Sequence, residues 1–316
     1  MCTAIAICNR EFYFGRNMDI EGSFSEHIVT APRRYPFFFR CAGDMSCHYA
    51  MVGTAAVAEG YPLFADAMNE KGLCMAGLSF PGNAFYGEPR AEDAFQIAPF
   101  ELIPWVLGRC ASVGEARRLL EKTRVVSIAF SEDLALTPLH WCVADKSGML
   151  VIEPTEQGLM LYDDPVGVLT NNPAFPAHLA DVDAYANLSP CSPKVQVSED
   201  AGYFSFGLGG TGLPGDYSSR SRFVRAAFLK KHLRAEKEQE GRIAQAFQLL
   251  ASVAPPRGVV LDDKGLAHYT TYSCCMCADT LTYYHKPAEK LCPLTVVPDE
   301  KMMEGDVLVV KEVKEK

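Results

Sequence analysis

The feature that most constrains the fold of this chain is a β-hairpin that begins almost at its first residue. Residues 3–8 (TAIAIC) and 11–15 (EFYFG) are typical of two short strands, and Asn9 and Arg10 between them predict a tight turn. Chain ends normally fray unless a strand or a helix holds them in place. The N-terminus is therefore expected to be fixed in a sheet.

Further strands and helices follow along the chain. Strands are predicted near residues 49–53, 73–78, 139–145, 149–153, 158–163, 166–170, 268–275, 280–285 and 306–312. Apolar residues at helical spacing predict helices at 223–234 and 241–253, and a capping box of Ser112 and Glu115 opens another that ends near residue 123. Short connections, such as 145–148, favour antiparallel pairing.

This order of elements indicates the fold class. Groups of strands separated by groups of helices predict an α+β fold, in which helices cover antiparallel sheets. The polar stretch 234–242 (RAEKEQEGR) is interpreted as a solvated helix end and not as a linker. A single domain over residues 1–316 is expected, although this length would also allow two domains.

Composition narrows the possible partners and location. The chain has 316 residues and a formal net charge of −9, which argues against nucleic acid because such binding depends on clustered Lys and Arg. No apolar run approaches the roughly 20 residues that cross a bilayer, so no membrane partner is expected. The 12 cysteines are scattered, with no basic and apolar leader before them, which favours free thiols and a cytoplasmic location.

Cys2 differs from the other cysteines by its position. Cys8, Cys74 and Cys142 lie in apolar strand patterns, where a small buried thiol is the ordinary explanation. Removal of Met1 would leave a thiol and a free α-amine on one residue. An amine with a pKa of about 7.7–8.0 can accept the proton of a thiol with a pKa near 8.5 and later protonate a leaving amine. Position alone leaves open both a nucleophile and a structural cysteine.

Two charged residues follow on the second strand of the hairpin. The turn brings Arg16 and Asp19 back towards Cys2, so both can lie close to it. A guanidinium favours a thiolate, and a carboxylate can hold and orient an ammonium. The alternative is an ion pair at the surface end of a strand.

Six sequence segments together resemble the choloylglycine hydrolase family, which contains bile salt hydrolases and penicillin V acylases. The segments occur in the order found in that family, and they are MCTAIAI at the start, FGRNMDIE (14–21), YPLFADAMNEKGL (61–73), VGVLTNNP (166–173), GLPGDYSSRSRFVRAAF (212–228) and YTTYSCCMC (269–277). The resemblance implies an N-terminal nucleophile hydrolase of four layers, αββα. It also implies an amide hydrolase that needs no cofactor and no metal, and a homotetramer.

The resemblance also implies roles for individual residues. The residue matching Cys2 is the nucleophile, Arg16 lies against its sulfur, and Asp19 contacts the α-amine. Asn171 matches a side-chain donor of the oxyanion hole, which suits a developing tetrahedral oxyanion. Arg222 matches a further active-site arginine.

One position departs from the family pattern and bears on the substrate. Ser79 stands where bile salt hydrolases usually have Asn and penicillin V acylases usually have Tyr. The family uses the backbone N–H of this residue in the oxyanion hole, and serine keeps that group. Met18, Ala58 and Ala65 match positions near the acyl pocket, and their size would leave room for a broad apolar ring system. Conjugated bile salts are therefore the expected substrates.

Three other interpretations are considered. Within the family, the alternative substrates are penicillin V and other N-acyl amides. A non-catalytic metal or redox protein is suggested by Cys274, Cys275 and Cys277 with histidines nearby, but a second pair of ligands at zinc spacing is missing. Residues 207–212 fit the G-x-G-x-x-G spacing of dinucleotide sites, but a proline at position 214 excludes a helix there, so a loop is predicted.

Overall fold

The structure is a computed structural model that describes residues 1–91, 95–193 and 206–313, and two large antiparallel sheets organise it. The strands are β1 (Cys2–Cys8), β2 (Phe12–Ile20), β3 (Glu26–Ala31), β4 (Phe37–Phe39), β5 (Gly43–Met45), β6 (Met51–Ala58), β7 (Tyr61–Asn69), β8 (Cys74–Ser79), β9 (Phe95–Ile97), β10 (Thr123–Val125), β11 (Leu139–Asp145), β12 (Gly148–Thr155), β13 (Gly158–Asp164), β14 (Val168–Leu169), β15 (Tyr269–Cys277), β16 (Thr282–Pro287), β17 (Leu294–Val296) and β18 (Val309–Glu312). The helices are α1 (Leu102–Arg109), α2 (Val113–Leu120), α3 (Phe175–Asp183), α4 (Ser219–His232), α5 (Gln239–Ala251) and α6 (Glu300–Met303).

The two sheets differ in size and in the part of the chain that forms them. The six-stranded sheet has the order β14-β1-β2-β15-β16-β17, so strands from both ends of the chain are neighbours. The eight-stranded sheet has the order β13-β12-β11-β8-β7-β6-β3-β18. The N-terminal strand β1 lies inside its sheet, between β2 and β14. The first residues are therefore held by hydrogen bonds on both sides.

Helices cover the outer face of each sheet and give four layers in the order α, β, β, α. Helices α4 and α5 pack on the six-stranded sheet, and α1 and α2 pack on the eight-stranded sheet. One apolar core lies between the two sheets and under α4 and α5, while a second lies under α1 and α2. The predicted α+β fold with four layers is confirmed.

Strand β8 shows how the sequence pattern creates these cores. Cys74, Ala76 and Leu78 belong to the core between the sheets, while Met75 belongs to the core beneath the helices. Successive side chains of a strand point to opposite faces, so a strand buried on both faces is apolar throughout.

Most predicted elements are present, and several lie outside the prediction. The hairpin of β1 and β2 is confirmed, and Ser112 accepts a hydrogen bond from Glu115 N at the start of α2. The strand predicted at 166–170 is reduced to the two residues of β14, and residues 208–210 of the glycine-rich stretch form one 3₁₀ turn. Strands β3 and β7 and helices α1 and α3 were not predicted, because their apolar residues do not follow one clear period.

Candidate active site

The hairpin places the side chains of Cys2, Arg16 and Met18 on one face of the six-stranded sheet. Cys2 is paired with Met18, and Ala4 is paired with Arg16, so these side chains share a face. Arg16 Nη2 lies 3.4 Å from Cys2 Sγ and 3.3 Å from Met18 Sδ. The proximity of Arg16 to Cys2, which the turn predicted, is present in the structure.

The surroundings of Cys2 favour its thiolate. Burial raises the pKa of the Cys2 thiol, but the Arg16 guanidinium and the N-terminal amine of Met1 together lower it by more. The pKa of the thiol therefore lies below its ordinary value. A lowered pKa raises the thiolate fraction at neutral pH, and the thiolate is the reactive form of cysteine. The thiols of Cys74 and Cys275 show the opposite effect, because burial without such a cation raises the pKa of each.

Asn171 connects the two sheets and helix α4 beside Cys2. Its Oδ1 accepts hydrogen bonds from Cys2 N at 2.9 Å and from Arg222 Nη2 at 2.7 Å. Its Nδ2 donates to Ser79 O at 2.7 Å. A side-chain amide has two N–H bonds, and Ser79 O is the one acceptor of Asn171 Nδ2 among the described residues, so the second N–H remains for another group.

The backbone of Ser79 contributes a second donor at this place. Phe80 N donates to Pro138 O at 2.8 Å, one residue beyond the pair of Ser79 with Leu139. In an antiparallel ladder, such a pair directs its own N–H and C=O groups away from the partner strand. The N–H of Ser79 therefore points to the side on which Ser79 O meets Asn171.

Asp19 and Arg222 lie close to Cys2, and both side chains are fully buried. Asp19 Oδ1 accepts a hydrogen bond from Thr270 Oγ1 at 2.6 Å, and Oδ2 lies 3.8 Å from Arg222 Nη1. Within the described residues, Asp19 Oδ2 has no hydrogen-bond partner. Burial raises the pKa of the Asp19 carboxyl, and the Arg222 guanidinium opposes that rise.

Met1 continues the pairing of β1 with β2. Its amine donates to Asp19 O at 2.6 Å, and Asp19 N donates to Met1 O at 3.0 Å. The peptide between Met1 and Cys2 is consequently held inside the sheet, and Cys2 is 3% exposed.

The thiol opens into a cavity of about 670 Å³ with a mainly apolar lining. Met18, Ala65 and Ser79 line this cavity together with Cys2 and Arg16. Its apolar wall comes from several loops and strands and includes Ile20, Phe24, Leu63, Phe64, Phe100, Ile128, Phe130, Leu134, Leu136 and Trp141. Ala58 is not among the described residues that line the cavity, because it lies at the end of β6 opposite Tyr61.

A buried group on the side of Arg16 that faces away from Cys2 was not predicted. It consists of Asp66, Tyr272 and Tyr283. Asp66 Oδ2 lies 3.0 Å from Arg16 Nη1, and it accepts a hydrogen bond from Tyr272 at 2.7 Å. The tyrosines belong to β15 and β16, far along the chain from Asp66. A charged residue inside the otherwise apolar run 61–68 was the signal that could have indicated a buried partner.

Two kinds of feature are absent from the described residues. Across 1–91, 95–193 and 206–313, no group of three or more His, Cys, Asp or Glu side chains is arranged to hold a metal ion. In these same ranges, no helix is both long enough and apolar enough to span a membrane. Cys274 lies in β15 with its thiol 3.4 Å from Asp66 Oδ1.

Two antiparallel sheets between helices, with a cysteine at the start of an inner strand, define the class of N-terminal nucleophile hydrolases. The profile of the linear amide C–N hydrolases, choloylglycine hydrolase family, matches residues 2–301. The chain belongs to this family.

Individual relatives agree with this assignment. The chain is 48% identical to the bile salt hydrolase/transferase of Lactiplantibacillus plantarum, over 90% of this chain and 89% of that protein. It is 32% identical to the conjugated bile acid hydrolase of Lactobacillus gasseri, over 98% and 99% of the two chains. A solved mutant of the conjugated bile acid hydrolase from Clostridium perfringens superposes with a TM-score of 0.91 at 32% identity, covering 99% of this chain and 97% of that chain.

A more distant structure shares the fold. Penicillin V acylase from Agrobacterium tumefaciens superposes with a TM-score of 0.74 at 20% identity, covering 96% of this chain and 87% of that chain.

Proposed function

We propose that this protein is a bile salt hydrolase that cleaves the amide bond of glycine- or taurine-conjugated bile acids with Cys2 as nucleophile. The observation that carries the proposal is the Cys2 thiol, which lies beside Arg16 at a mainly apolar cavity of about 670 Å³. The names of the 48%, 32% and 34% identical relatives from Lactiplantibacillus, Lactobacillus and Clostridium support the substrate class.

The first half of the reaction uses the processed N-terminus. Once Met1 is removed, the α-amine of Cys2 accepts the thiol proton, and the thiolate attacks the amide carbonyl. The free N–H of Asn171 Nδ2 and the backbone N–H of Ser79 stabilise the oxyanion that forms. The ammonium then protonates the leaving nitrogen as the C–N bond breaks, and glycine or taurine departs from a thioester on Cys2.

The second half regenerates the enzyme. The α-amine accepts a proton from water, whose oxygen attacks the thioester carbonyl within the same oxyanion hole. The carbon–sulfur bond breaks, the bile acid leaves, and the proton returns to the thiolate. All proton transfers pass through the amine of one residue.

Asp19 positions this amine, and Arg222 positions Asn171. Asp19 Oδ2 is buried and without a hydrogen-bond partner among the described residues, so it is suited to accept from the ammonium. Arg222 Nη2 donates to Asn171 Oδ1 and Arg222 Nη1 donates to Thr3 Oγ1 at 2.6 Å, which fixes Asn171 relative to β1.

The cavity favours a broad apolar acyl group over a small one. Ala65 and the flexible Met18 leave space next to Cys2, and aromatic and aliphatic side chains form the remaining wall. A steroid nucleus fills such a volume better than a phenoxyacetyl group. Ser79 supplies a backbone donor but no tyrosine ring.

A product assay tests the proposal. Glycocholate, taurocholate and penicillin V are compared under one set of conditions, with release of glycine, taurine or 6-aminopenicillanic acid as the readout. The kcat/KM for the bile salts should be at least about tenfold higher, a difference of about 1.4 kcal/mol in transition-state binding. A higher value for penicillin V would refute the bile salt assignment and leave the Cys2 mechanism in place.

The same proposal extends to organisation and location. We propose a single domain over residues 1–316 because the sequence has no internal repeat and no low-complexity tract. We propose a homotetramer by resemblance to the family, and a cytoplasmic location from the scattered free thiols. Light scattering on purified protein measures the oligomeric state, and a dimer or a monomer would contradict the tetramer.

A further inference from the structure

Asp66 is a buried carboxylate between the two sheets, with four donors around it. It lies on β7 and is fully buried. Its Oδ2 accepts from Arg16 Nη1 at 3.0 Å and from Tyr272 at 2.7 Å, and its Oδ1 accepts from Tyr283 at 2.5 Å. The thiol of Cys274 lies 3.4 Å from Oδ1. A buried charge is tolerated when it is paired and hydrogen-bonded, and Asp66 meets both conditions.

The guanidinium of Arg16 lies between this carboxylate and the Cys2 sulfur. One nitrogen, Nη1, faces Asp66 and the hydroxyl of Tyr272 at 3.3 Å. The other, Nη2, faces Cys2 Sγ at 3.4 Å and Gly77 O at 2.8 Å. Arg16 is thus in contact with two anionic groups, the Asp66 carboxylate and the Cys2 thiolate. The negative charge of Asp66 therefore cancels part of the stabilisation that the positive charge of Arg16 gives to the thiolate.

The remaining groups around Asp66 form a hydrogen-bonded chain. Tyr283 is 2.6 Å from Thr54 Oγ1, which is 3.0 Å from His285 Nδ1. Burial raises the pKa of each phenol, that of Tyr272 and that of Tyr283, well above the usual value, so both remain protonated donors at neutral pH. Burial also lowers the pKa of His285 to about 4, so this ring is neutral there. Arg16 is therefore the one full cation in direct contact with Asp66 among the described residues.

We propose that Asp66 is a positioning residue that acts through Arg16 and thereby sets the pH at which the Cys2 thiol ionises. Its carboxylate fixes the guanidinium with Nη2 against the sulfur. Its negative charge also keeps the thiol from ionising at too low a pH. The inference deepens the proposed function, because it concerns the ionisation of the proposed nucleophile.

The substitution Asp66→Asn removes the charge and keeps the shape. The amide oxygen can still accept from Arg16 and Tyr272, and the amide N–H₂ can donate to Tyr283, whose hydroxyl can turn and donate to Thr54. Hydroxyl groups act as donors and as acceptors, so the hydrogen bonds around position 66 can be re-formed. The charge is the main property that changes.

The test measures the apparent pKa of Cys2 in protein that lacks Met1 and contains no substrate. The rate of iodoacetamide alkylation is followed from pH 4 to 9, with peptide mass spectrometry to separate Cys2 from the other cysteines. Asp66→Asn should lower the apparent pKa of Cys2 by about one pH unit, because one nearby negative charge is lost. The acid limb of kcat/KM for glycocholate should move down with it.

Glu26→Gln is the matched control. Glu26 is also a buried carboxylate of the eight-stranded sheet, and its Oε2 accepts from Ser23 Oγ at 2.6 Å and from Phe24 N at 3.0 Å. An amide oxygen in that place keeps both hydrogen bonds. The apparent pKa of Cys2 should change by less than about 0.3 in this variant, since Glu26 does not contact Arg16.

Two results would overturn the proposal. An unchanged pKa in folded Asp66→Asn protein with a lowered Tm would mean that Asp66 serves stability alone, and a raised pKa would mean that the charge of Asp66 does not oppose Arg16. If Asp66→Asn does not fold, Asp66→Ser removes the same charge, keeps a hydroxyl acceptor and is subject to the same criteria. Because alkylation needs no substrate, failure of the bile salt assay leaves this test unaffected.

Discussion

The substitution Asn171→Ala separates catalysis from stability within one residue. In the structure, Asn171 Oδ1 accepts from Cys2 N at 2.9 Å and from Arg222 Nη2 at 2.7 Å, while Nδ2 donates to Ser79 O at 2.7 Å. Alanine removes the free N–H that we assign to the oxyanion, and kcat should fall by about 10²–10³, or about 2.7–4 kcal/mol. It also leaves one N–H of the buried Arg222 without its acceptor, which should lower the free energy of unfolding by about 1–3 kcal/mol.

The assay follows glycine release from glycocholate for kcat and KM, and urea unfolding for stability. Asn172→Ala is the matched control, because Asn172 Nδ2 also donates to a backbone carbonyl, that of Pro81 at 2.7 Å, but it does not contact Cys2. Its kcat should stay within about twofold, since no donor to the oxyanion is lost. A large rise in KM with unchanged kcat in Asn171→Ala would make Asn171 a substrate-binding residue and refute the oxyanion role.

Three further predictions concern processing, the nucleophile and pH. Protein that retains Met1 should be inactive, because Cys2 N is then a peptide nitrogen that donates to Asn171 Oδ1; intact mass measured with activity checks this, and full activity with Met1 present would contradict it. Cys2→Ala should abolish turnover in folded protein, whereas Cys277→Ala, which changes a buried thiol of β15, should retain most of it; near-normal hydrolysis by Cys2→Ala would exclude Cys2 as the nucleophile. Burial lowers the pKa of His285 to about 4, while the unfolded imidazole takes up a proton below about pH 6.5. The contribution of neutral His285 to the free energy of unfolding is therefore complete above that pH, and about 3 kcal/mol of it is lost as the pH drops towards 4. His285→Gln should lose less stability between pH 7 and 4.5 in urea unfolding than the unsubstituted protein, and equal losses would refute the assignment.

The hairpin was predictable because its signals are local. Asn9 and Arg10 stand between two short apolar runs, and the return of the second strand brings Arg16 next to Cys2 without any knowledge of the remaining chain. Strand β7 was missed for a physical reason. Its pairing with β6 shifts register between Thr54 and Ala55, and such a bulge breaks the alternation by which a strand is recognised.

The deeper parts of the site depend on contacts between distant segments. Asn171 reaches Cys2 from the segment just after β14, and Arg222 contacts Asn171 from α4. Only the resemblance to the family could indicate these two residues. Asp66 meets Tyr272 and Tyr283 across the two sheets, at a sequence separation of 206 and 217 residues. Neither periodicity nor local propensity contains information about such pairs. Ala58 shows the converse, because its match to a family position does not bring it to the described cavity wall.

The buried charges around Cys2 explain how its thiolate and its α-ammonium can form together at little free-energy cost. Arg16, Arg222, Asp19 and Asp66 are all buried, and each guanidinium lies within 4 Å of one of the carboxylates, so two positive and two negative charges offset one another. Transfer of the thiol proton to the α-amine creates one further charge of each sign on the same residue. The site thus stays neutral overall when the thiolate forms, and it avoids the large penalty of an unpaired buried charge. When the oxyanion forms, the negative charge only moves from the sulfur, which lies beside Arg16, to the substrate oxygen, which the N–H groups of Asn171 and Ser79 stabilise. This balance predicts that removing any one of the four charges changes the pKa of the Cys2 thiol, and Asp66→Asn tests this on the side of Arg16 that faces away from Cys2.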